Sequence, residues 1–230
     1  MPQQSRQTRR PAALAECCPF FQAAGPAVMA ELLAASFTHL LPRHAVLFEQ
    51  GDAPQMLHLV LEGRVGLQAQ GEASTRTMVE IFGPGEIVLA PAVVLALPYL
   101  AAAVALTEVR VTMIPAQLFR ETLARSLPLA RATTELLARH WRLMVDQVVD
   151  LKLRDAEQRV ARFIARRAAE AQGGGKVILD EPRGAIAARL GMTPETLSRA
   201  LAALEAKGKL RRAPDGATIA DRSAQGCELL

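Results

Sequence analysis

The chain has 230 residues, of which 50% are hydrophobic, 22% charged and 4% aromatic. This composition excludes wholesale disorder, and the length allows one large domain or two of ordinary size. The net charge of +4 is too small to identify a partner, but residues 152–212 carry 14 basic and 7 acidic residues, whereas residues 11–151 carry 9 basic and 13 acidic ones. This asymmetry predicts an anionic partner for the C-terminal third, with nucleic acid the foremost candidate.

The cysteine content and the hydropathy of the chain indicate the cellular compartment in which the protein acts. The three cysteines are Cys17, Cys18 and Cys227. They are too few for a disulfide framework or a zinc module, and the basic N-terminus lacks an apolar signal core, so we expect a cytoplasmic protein. Residues 87–107 are uncharged and long enough to span a bilayer, but Pro91 and Pro98 interrupt them and no cationic cluster flanks them. We interpret this stretch as the wall of a buried pocket and expect no membrane partner.

The predicted elements change in type along the chain. A polar, basic tail over residues 1–12 precedes a short amphipathic helix over residues 26–38. Between residues 43 and 115, short runs rich in β-formers alternate with glycines, which predicts antiparallel strands in a sandwich or jelly roll. Leu129 to Leu151 then contain neither proline nor glycine and have a helical hydrophobic period, which predicts one long helix.

The long predicted helix carries an apolar stripe with steps mostly of three or four residues. The members of this stripe are Leu129, Leu136, Leu137, His140, Met144, Val148 and Leu151. A long helix with a narrow apolar seam usually packs against another copy of itself, so the stripe predicts a homodimer. The alternative is that the same stripe packs on the β-domain of its own chain.

Residues 183–212 predict two short helices joined by a glycine-containing turn. Gly191 ends the first helix, Thr193 caps the second, and Pro194 takes the first helical position, where a missing N–H costs nothing. Two such helices form a helix-turn-helix, whose second helix contacts base edges in the DNA major groove. The residues predicted to bind DNA are Thr193, Glu195, Thr196, Ser198, Arg199, Lys207 and Lys209. The alternative is a small helical cap with solvated charges.

The chemistry of these side chains suggests which of them would contact bases and which would contact phosphates. The guanidinium of Arg199 matches the two acceptors of guanine, and Glu195 can accept from the amino group of cytosine. Ser198 can reach a base or a phosphate. Lys207 and Lys209 suit phosphate contacts, which position a protein on DNA without reading its sequence.

Several motifs in this order resemble the CRP/FNR family (cyclic-AMP receptor protein/fumarate-nitrate regulator) over about residues 20–220. They are VLFEQGD, LVLEGRVGL, FGPGE, the long helix and the helix-turn-helix. The resemblance implies an α+β fold: an antiparallel jelly roll like a cyclic-nucleotide-binding domain, a long dimerisation helix and a winged helix-turn-helix. The expected divisions are a mobile tail at 1–19, an effector-sensing β-domain at 20–126, a dimerisation helix at 127–153 and a DNA-binding domain at 154–230.

The resemblance also implies a function. It implies a homodimeric transcription regulator rather than an enzyme, which binds double-stranded DNA and, as an activator, contacts RNA polymerase. The pattern Glu195-x-x-Ser198-Arg199 resembles the recognition pattern of the nitric-oxide- and oxygen-responsive (DNR/NnrR-like) branch, which implies TTGAT-like half-sites with dyad symmetry. The alternatives are a ligand-sensing regulatory subunit that does not bind DNA and a cupin-like enzyme; the second lacks clustered His and carboxylate metal ligands.

The pocket segment departs from the family members that bind cyclic AMP. Those members carry a Gly-Glu pair for the ribose and an Arg-Ser pair for the phosphate, whereas no Arg, Glu or Ser lies between Glu86 and Glu108. A buried phosphodiester would lack a charged donor, so we expect no cyclic nucleotide. The predicted apolar pocket is lined by Ile87, Val88, Leu89, Val93, Val94, Leu95, Leu97 and Tyr99 and closed by Leu136, Leu137 and His140.

Such a pocket suits a small apolar effector or a flat cofactor such as haem. By resemblance to nitric-oxide-responsive and carbon-monoxide-sensing members, His140 is the preferred axial ligand, with His39, His44, His58 and the Pro2 amine as alternatives. An iron–sulfur cluster needs about four thiolates, which the chain lacks. Switching by a different small molecule, or by thiol redox at Cys17 and Cys18, stays open.

Overall fold

The computed structural model describes residues 18–71, 76–88, 90–170, 176–177, 179–212 and 218–220. They form two compact units that are divided between Arg142 and Leu143, inside the longest helix. Each unit has its own hydrophobic core, and each is described below by itself.

The first unit combines short helices with an antiparallel sandwich. Its elements are α1 (Pro19–Ala24), α2 (Pro26–Ala34), β1 (Phe37–Leu41), β2 (Val46–Phe48), β3 (Met56–Glu62), β4 (Val65–Gln70), β5 (Arg76–Phe82), β6 (Ile87–Val88), α3 (Ala90–Leu95), β7 (Ala102–Ala105), β8 (Val109–Pro115), α4 (Ala116–Arg125) and the start of α5 (Leu127–Leu153). The helix predicted over residues 26–38 is shorter than expected, because the chain is extended from Phe37 onward and pairs with β8.

Two four-stranded antiparallel sheets make the sandwich. One has the strand order β1-β8-β3-β6 and the other β2-β7-β4-β5. The predicted jelly-roll architecture is thereby confirmed. The hairpin between β3 and β4 requires glycine at position 63, since its φ is +83° and a Cβ would collide with the carbonyl oxygen of Glu108.

The sandwich strand β3 is buried on both faces. Leu57 and Leu59 belong to a core that the first sheet shares with the helices, whereas Val60 belongs to a second core between the two sheets. Because side chains alternate along a strand, His58 shares the face of Val60, and its ring lies 5.3 Å from the ring of Phe48. From Leu57 to Val60, neither face of β3 is therefore exposed to solvent.

His58 is a buried polar residue with an energetic cost. It is 3% exposed, and neither ring nitrogen has a hydrogen-bond partner among the described residues. Burial lowers the pKa of this imidazole from 6.5 to about 4. The folded unit therefore binds this proton less readily than the unfolded chain does, so stability is fully present above pH 6.5 and is lost as the pH falls toward 4.

We expect the free energy of unfolding to fall by about 2 kcal/mol between pH 7 and pH 5 through His58, since one pKa unit corresponds to about 1.4 kcal/mol. The variant His58→Leu should remove this dependence and be more stable at both pH values, because no unsatisfied nitrogen stays buried. Thermal unfolding followed by circular dichroism at the two pH values measures the effect. His39→Leu, at an exposed position of β1, is the control. A pH dependence that His58→Leu leaves unchanged would refute the assignment.

The first half of α5 packs on its own β-domain. Leu129 and Ala132 are buried in the core that includes α1, α2 and α4, and Leu136 and Leu137 pack against the same core. Leu129, Leu136 and Leu137 belong to the stripe that the sequence assigned to a homodimer seam. For this half of the stripe the alternative interpretation, packing within the chain, is the one that the structure bears out.

Further along α5, beyond the part that packs on the β-domain, apolar side chains are exposed. Trp141 is 71% exposed, and Val145 and Val148 follow it at steps of four and three residues with 42% and 51% exposure. This spacing keeps the three side chains on one side of the helix. The term "α5 seam" is used below for Trp141, Val145 and Val148.

The second unit begins within α5 and contains α6 (Ala156–Glu170), β9 (Lys176–Val177), α7 (Arg183–Arg189), α8 (Pro194–Ala206), β10 (Leu210–Arg212) and β11 (Thr218–Ala220). The strands form an antiparallel sheet in the order β10-β11-β9, which is the wing expected beside a helix-turn-helix. The sequence Asp215-Gly216 predicts a tight turn of a hairpin, and it lies outside the described residues.

The core of the second unit is formed by the three helices. Its buried residues include Val160, Ile164, Ile186, Leu197 and Leu204. At its edge, the guanidinium groups of Arg167 and Arg189 lie 5.5 and 5.3 Å from the ring centroid of Phe163, and Arg167 pairs with buried Glu181. Stacked guanidinium groups bury apolar area while keeping their charge paired.

Across the described part of the chain, no helix is both long enough and apolar enough to cross a membrane. Residues 87–107, which raised that possibility, instead contain β6, α3 and β7.

Candidate nucleic-acid interface and effector site

The turn between α7 and α8 has the expected geometry. Helix α7 ends at Arg189, Leu190 follows as its cap, and Gly191 has a φ of +63°, a conformation that glycine adopts without strain. Thr193 caps α8: its side-chain oxygen accepts from the backbone N–H of Thr196 at 3.3 Å. Pro194 is the first residue of α8. The local predictions for this motif are confirmed.

Helix α8 has a buried face and an exposed face. The buried side chains are Leu197, Ala200, Leu201 and Leu204. Glu195, Ser198 and Arg199 are exposed in its first two turns, and Thr196 is half-buried. The apolar face therefore fixes the helix on the unit and leaves a polar N-terminal surface free for a groove of DNA.

An acidic and a basic side chain lie next to each other on this surface. Hydrogen bonds from the backbone N–H of Glu195 and from the Thr193 hydroxyl, together with the charge of Arg199, lower the pKa of the Glu195 carboxyl. Nη2 of Arg199 donates to Oγ1 of Thr196 at 3.3 Å. The surface thus offers an ionised acceptor and a guanidinium donor to base edges.

The two predicted phosphate-contacting lysines differ in their surroundings. Nζ of Lys207 lies 2.6 Å from Oε1 of Glu157 and forms an ion pair within the second unit. Lys209 is exposed at the start of the wing. A phosphate contact by Lys207 therefore has to compete with Glu157, an interaction that the sequence did not predict.

The predicted effector pocket is not assembled as one cavity wall. Ile87 and Val93 lie in the helix-side core, whereas Val88 lies in the core between the sheets. Leu95 and Leu97 are 63% and 56% exposed. Leu89 lies outside the described residues. These residues lie in different layers because β6 has only two residues, Ile87 and Val88, whose side chains point to opposite faces of the sheet.

Two further predicted lining residues fill existing cores. Val94 packs against the helix-side core. Tyr99 stacks on Phe48 with ring centroids 3.6 Å apart, and its hydroxyl donates to the carbonyl oxygen of Met56 at 3.0 Å. Burial and the nearby Asp52 carboxylate raise the pKa of Tyr99 to about 12, so the hydroxyl stays protonated and keeps this bond.

His140 occupies the position on α5 that faces strand β5. Its ring centroid lies 6.1 Å from that of Phe82 in an edge-to-face arrangement, and Leu136 and Leu137 precede it on the half-buried side of the helix. Burial lowers the pKa of His140, and the negative charge of Glu80 opposes this shift. The ring is therefore neutral at pH 7 and has one nitrogen lone pair available.

Glu80 and Phe82 are the site residues that sequence reasoning missed. They are two positions apart on β5, so their side chains share a face, and both are buried. The available signal was a single carboxylate within the apolar strand TMVEIF. Its inward direction was not assigned, because the sequence did not specify which residues of α5 pack on the strand.

The described residues do not fit a haem pocket around His140, because its predicted lining is divided between two separate hydrophobic cores and the surface. The alternative ligands are no better placed: His39 and His44 are exposed, and His58 lies in the core between the sheets. The Pro2 amine lies outside the described residues. No group of three or more His, Cys, Asp or Glu side chains suited to a metal ion occurs in the described ranges.

Known family models match both units. The cyclic nucleotide-binding domain matches residues 38–126, and the Crp-like helix-turn-helix domain matches residues 158–224. The chain belongs to the CRP/FNR family of transcription regulators. As the motifs predicted, it is therefore a DNA-binding transcription regulator and not an enzyme.

Relatives of this CRP/FNR regulator agree with the assignment. It is 25% identical over 205 residues to the CRP-like cAMP-activated global transcriptional regulator of Mycobacterium tuberculosis, which covers 87% of this chain and 92% of the relative. FixK2 from Bradyrhizobium japonicum has a TM-score of 0.74 at 20% identity, covering 83% of this chain and 94% of that chain. DNR from Pseudomonas aeruginosa has a TM-score of 0.52 at 23% identity, covering 97% and 99%. The two structures support the fold.

Proposed function

We propose that this CRP/FNR regulator binds, as a homodimer, palindromic DNA with two TTGAT-like half-sites, through Glu195, Ser198 and Arg199 of α8. The observation that carries the proposal is the exposed polar N-terminal surface of α8 above a fully apolar buried face. A two-fold dimer places two such helices in successive major grooves, which explains why operators of this kind are palindromic.

The α5 seam supports the homodimer. Trp141 is the only tryptophan of the chain, and large aromatic side chains exposed to this extent are uncommon outside interfaces. Steps of four and three residues are those of a coiled-coil seam. A second copy of α5 is therefore the proposed partner of this face.

The proposed effector site is the place where α5 packs on β5, beside His140, Phe82 and Glu80. A neutral imidazole and a buried carboxylate favour a neutral or hydrogen-bond-donating ligand over an anion. A ligand can act only through its different affinities for two packings of the dimer, so the proposal requires two states with different separations of the α8 helices. Contact with RNA polymerase stays a prediction without assigned residues.

Electrophoretic mobility shift of the full chain tests the DNA target. We expect tighter binding to a duplex with two inverted TTGAT half-sites than to a scrambled duplex, at physiological salt. The affinity for both duplexes should fall with increasing salt, because lysines and arginines displace counterions from phosphates. Equal affinity for the two duplexes would refute the proposed half-site.

Calorimetry and absorption spectroscopy test the effector. We expect no heat of binding for cyclic AMP or cyclic GMP, because a phosphodiester would meet the Glu80 carboxylate and no guanidinium from residues 87–107. We also expect no Soret band from the protein as purified or after addition of haem. Tight binding of either nucleotide would contradict the first expectation. A Soret band that His140→Ala abolishes and His39→Ala preserves would contradict the second.

A further inference from the structure

The turn of the helix-turn-helix has polar contacts that its own helices do not provide. Nη1 of Arg159, on α6, donates to the carbonyl oxygen of Leu190 at 2.8 Å and to that of Gly191 at 3.4 Å. Nε2 of Gln147, on α5, donates to the carbonyl oxygen of Arg189 at 3.5 Å. The last carbonyls of a helix have no partner within the helix and carry partial negative charge, so a cation there is favourable.

The same turn is also held by an apolar contact. A Cβ at Gly191 would lie 2.6 Å from Cδ2 of Leu151 and 3.2 Å from Nη1 of Arg159. Leu151 thus reaches the backbone of Gly191 closely, and a larger residue at this position would have to displace the Leu151 side chain and adopt a strained positive φ. The polar and apolar contacts together fix the turn from one side.

Ion pairs hold the donors of these contacts in place. Oδ1 of Asp150, on α5, lies 2.7 Å from Nε of Arg154 and 3.1 Å from Nε of Arg162. Arg162, on α6, also lies 3.5 Å from Asp146. These ion pairs connect the end of α5 to α6, the helix that carries Arg159. They therefore hold the backbone at Arg159 in place relative to the end of α5.

The turn is connected to the DNA-contacting helix by a short and ordered segment. The backbone N–H of Met192 donates to the carbonyl oxygen of Ala187 at 3.0 Å, and α8 begins only three residues after Gly191. A shift of the turn therefore shifts the first turn of α8, which carries Glu195, Ser198 and Arg199.

We propose that Arg159 is a positioning residue for DNA recognition: it holds the carbonyls of the turn and so sets the orientation of α8 relative to the end of α5. Gln147 and Leu151 assist it from α5. Arg159 makes this contribution without touching DNA, since its guanidinium is directed at the backbone of its own unit. The choice of duplex in the test below rests on the proposed half-site.

The test compares Arg159→Ala with Arg166→Ala, which removes the same charge from the same helix. For each protein, the dissociation constants for the TTGAT palindrome and for the scrambled duplex are measured over a range of salt concentrations. We expect Arg159→Ala to weaken palindrome binding about tenfold, the effect of losing a charged hydrogen bond, and scrambled-duplex binding less than twofold. The salt slope should not change, and Arg159→Lys should recover part of the loss. Arg166→Ala should match the wild type within twofold.

Two outcomes would overturn the proposal. An equal loss on both duplexes, with the salt slope reduced by about 0.9 per lost contact, would identify Arg159 as a phosphate contact. Unchanged binding to both duplexes would show that the Arg159 side chain is not required to hold the turn. If Arg159→Ala does not fold, Leu151→Ala provides the same comparison with every charge retained.

Hydrogen exchange separates this proposal from the proposed half-site. If the wild type binds both duplexes equally, the proposed half-site is refuted. The exchange rates of the backbone amides of residues 191–193 and 195–197 then test the role of Arg159. We expect Arg159→Ala to accelerate their exchange about tenfold while leaving the amides of α6 unchanged, because the loss is confined to the turn. No acceleration would refute the positioning role.

Discussion

Replacing Arg199 with alanine is expected to raise the dissociation constant for the TTGAT palindrome about 100-fold. The guanidinium is exposed on the first two turns of α8 and can donate two parallel hydrogen bonds to a guanine. Such a contact provides ~1–3 kcal/mol of discrimination, and a dimer loses it at both half-sites. Titration of labelled duplex followed by fluorescence anisotropy measures the change.

The matched control is Arg43→Ala, which removes the same charge from an exposed loop of the first unit. It should bind the palindrome as the wild type does. Arg199→Ala should also retain most of its affinity for the scrambled duplex, because nonspecific binding depends on many phosphate contacts. If Arg199→Ala still discriminates between the duplexes, Arg199 does not read a base.

Introducing a carboxylate into the α5 seam is expected to convert the protein to a monomer. Val145→Glu would bury two like charges close to the two-fold axis of the proposed dimer, without partners, which costs several kcal/mol. The dimer dissociation constant should therefore rise by at least about 100-fold. Sedimentation velocity measures the state of association, and DNA affinity should fall together with it because one half-site contact is lost.

The fluorescence of Trp141 reports on dissociation of the proposed dimer. Trp141 is the only tryptophan and is 71% exposed in one copy of the chain, so its fluorescence should shift to longer wavelength when the seam opens. The control is Ala124→Glu, which adds the same carboxylate at an exposed position of α4. An unchanged dimer in Val145→Glu would show that the α5 seam is not the interface.

The helix-turn-helix was predictable from the sequence residue by residue because its signals are local. Thr193 has to precede Pro194 to cap α8, and Gly191 has to follow α7 because the backbone has a positive φ there. Leu197, Leu201 and Leu204 then determine which face is buried. None of these assignments depends on residues distant in the sequence.

The effector site was not predictable in the same way. The apolar segment 87–107 was correctly identified as buried over much of its length, but its residues belong to two cores and an exposed loop. A run that is apolar at every position has no periodicity, so it cannot show which side chain points to which layer. Glu80 became a site residue only because β5 and α5 bring it beside His140.

The apolar stripe on α5 shows the same limit. Leu129, Leu136 and Leu137 have seam spacing, yet they pack on the β-domain, whereas Trp141, Val145 and Val148 are the exposed apolar set. A helical period shows that one face of a helix is covered. It does not show whether the same chain or a second copy covers that face. Only the packing of the first half of α5 on its own domain distinguishes the two sets of residues.

The uneven charge, the strand alternation and the capped α8 were thus determined by the sequence alone, since each depends on near neighbours in the chain. They were sufficient to predict a β-sandwich and a nucleic-acid-binding unit, whereas the effector-sensing role of the sandwich was implied by the resemblance to the CRP/FNR family. The tertiary structure decided which part of the apolar surface of α5 stays exposed, which carboxylate lies near His140 and which arginine contacts the turn before α8. Each of these depends on groups that lie far apart in sequence and meet only when the chain has folded.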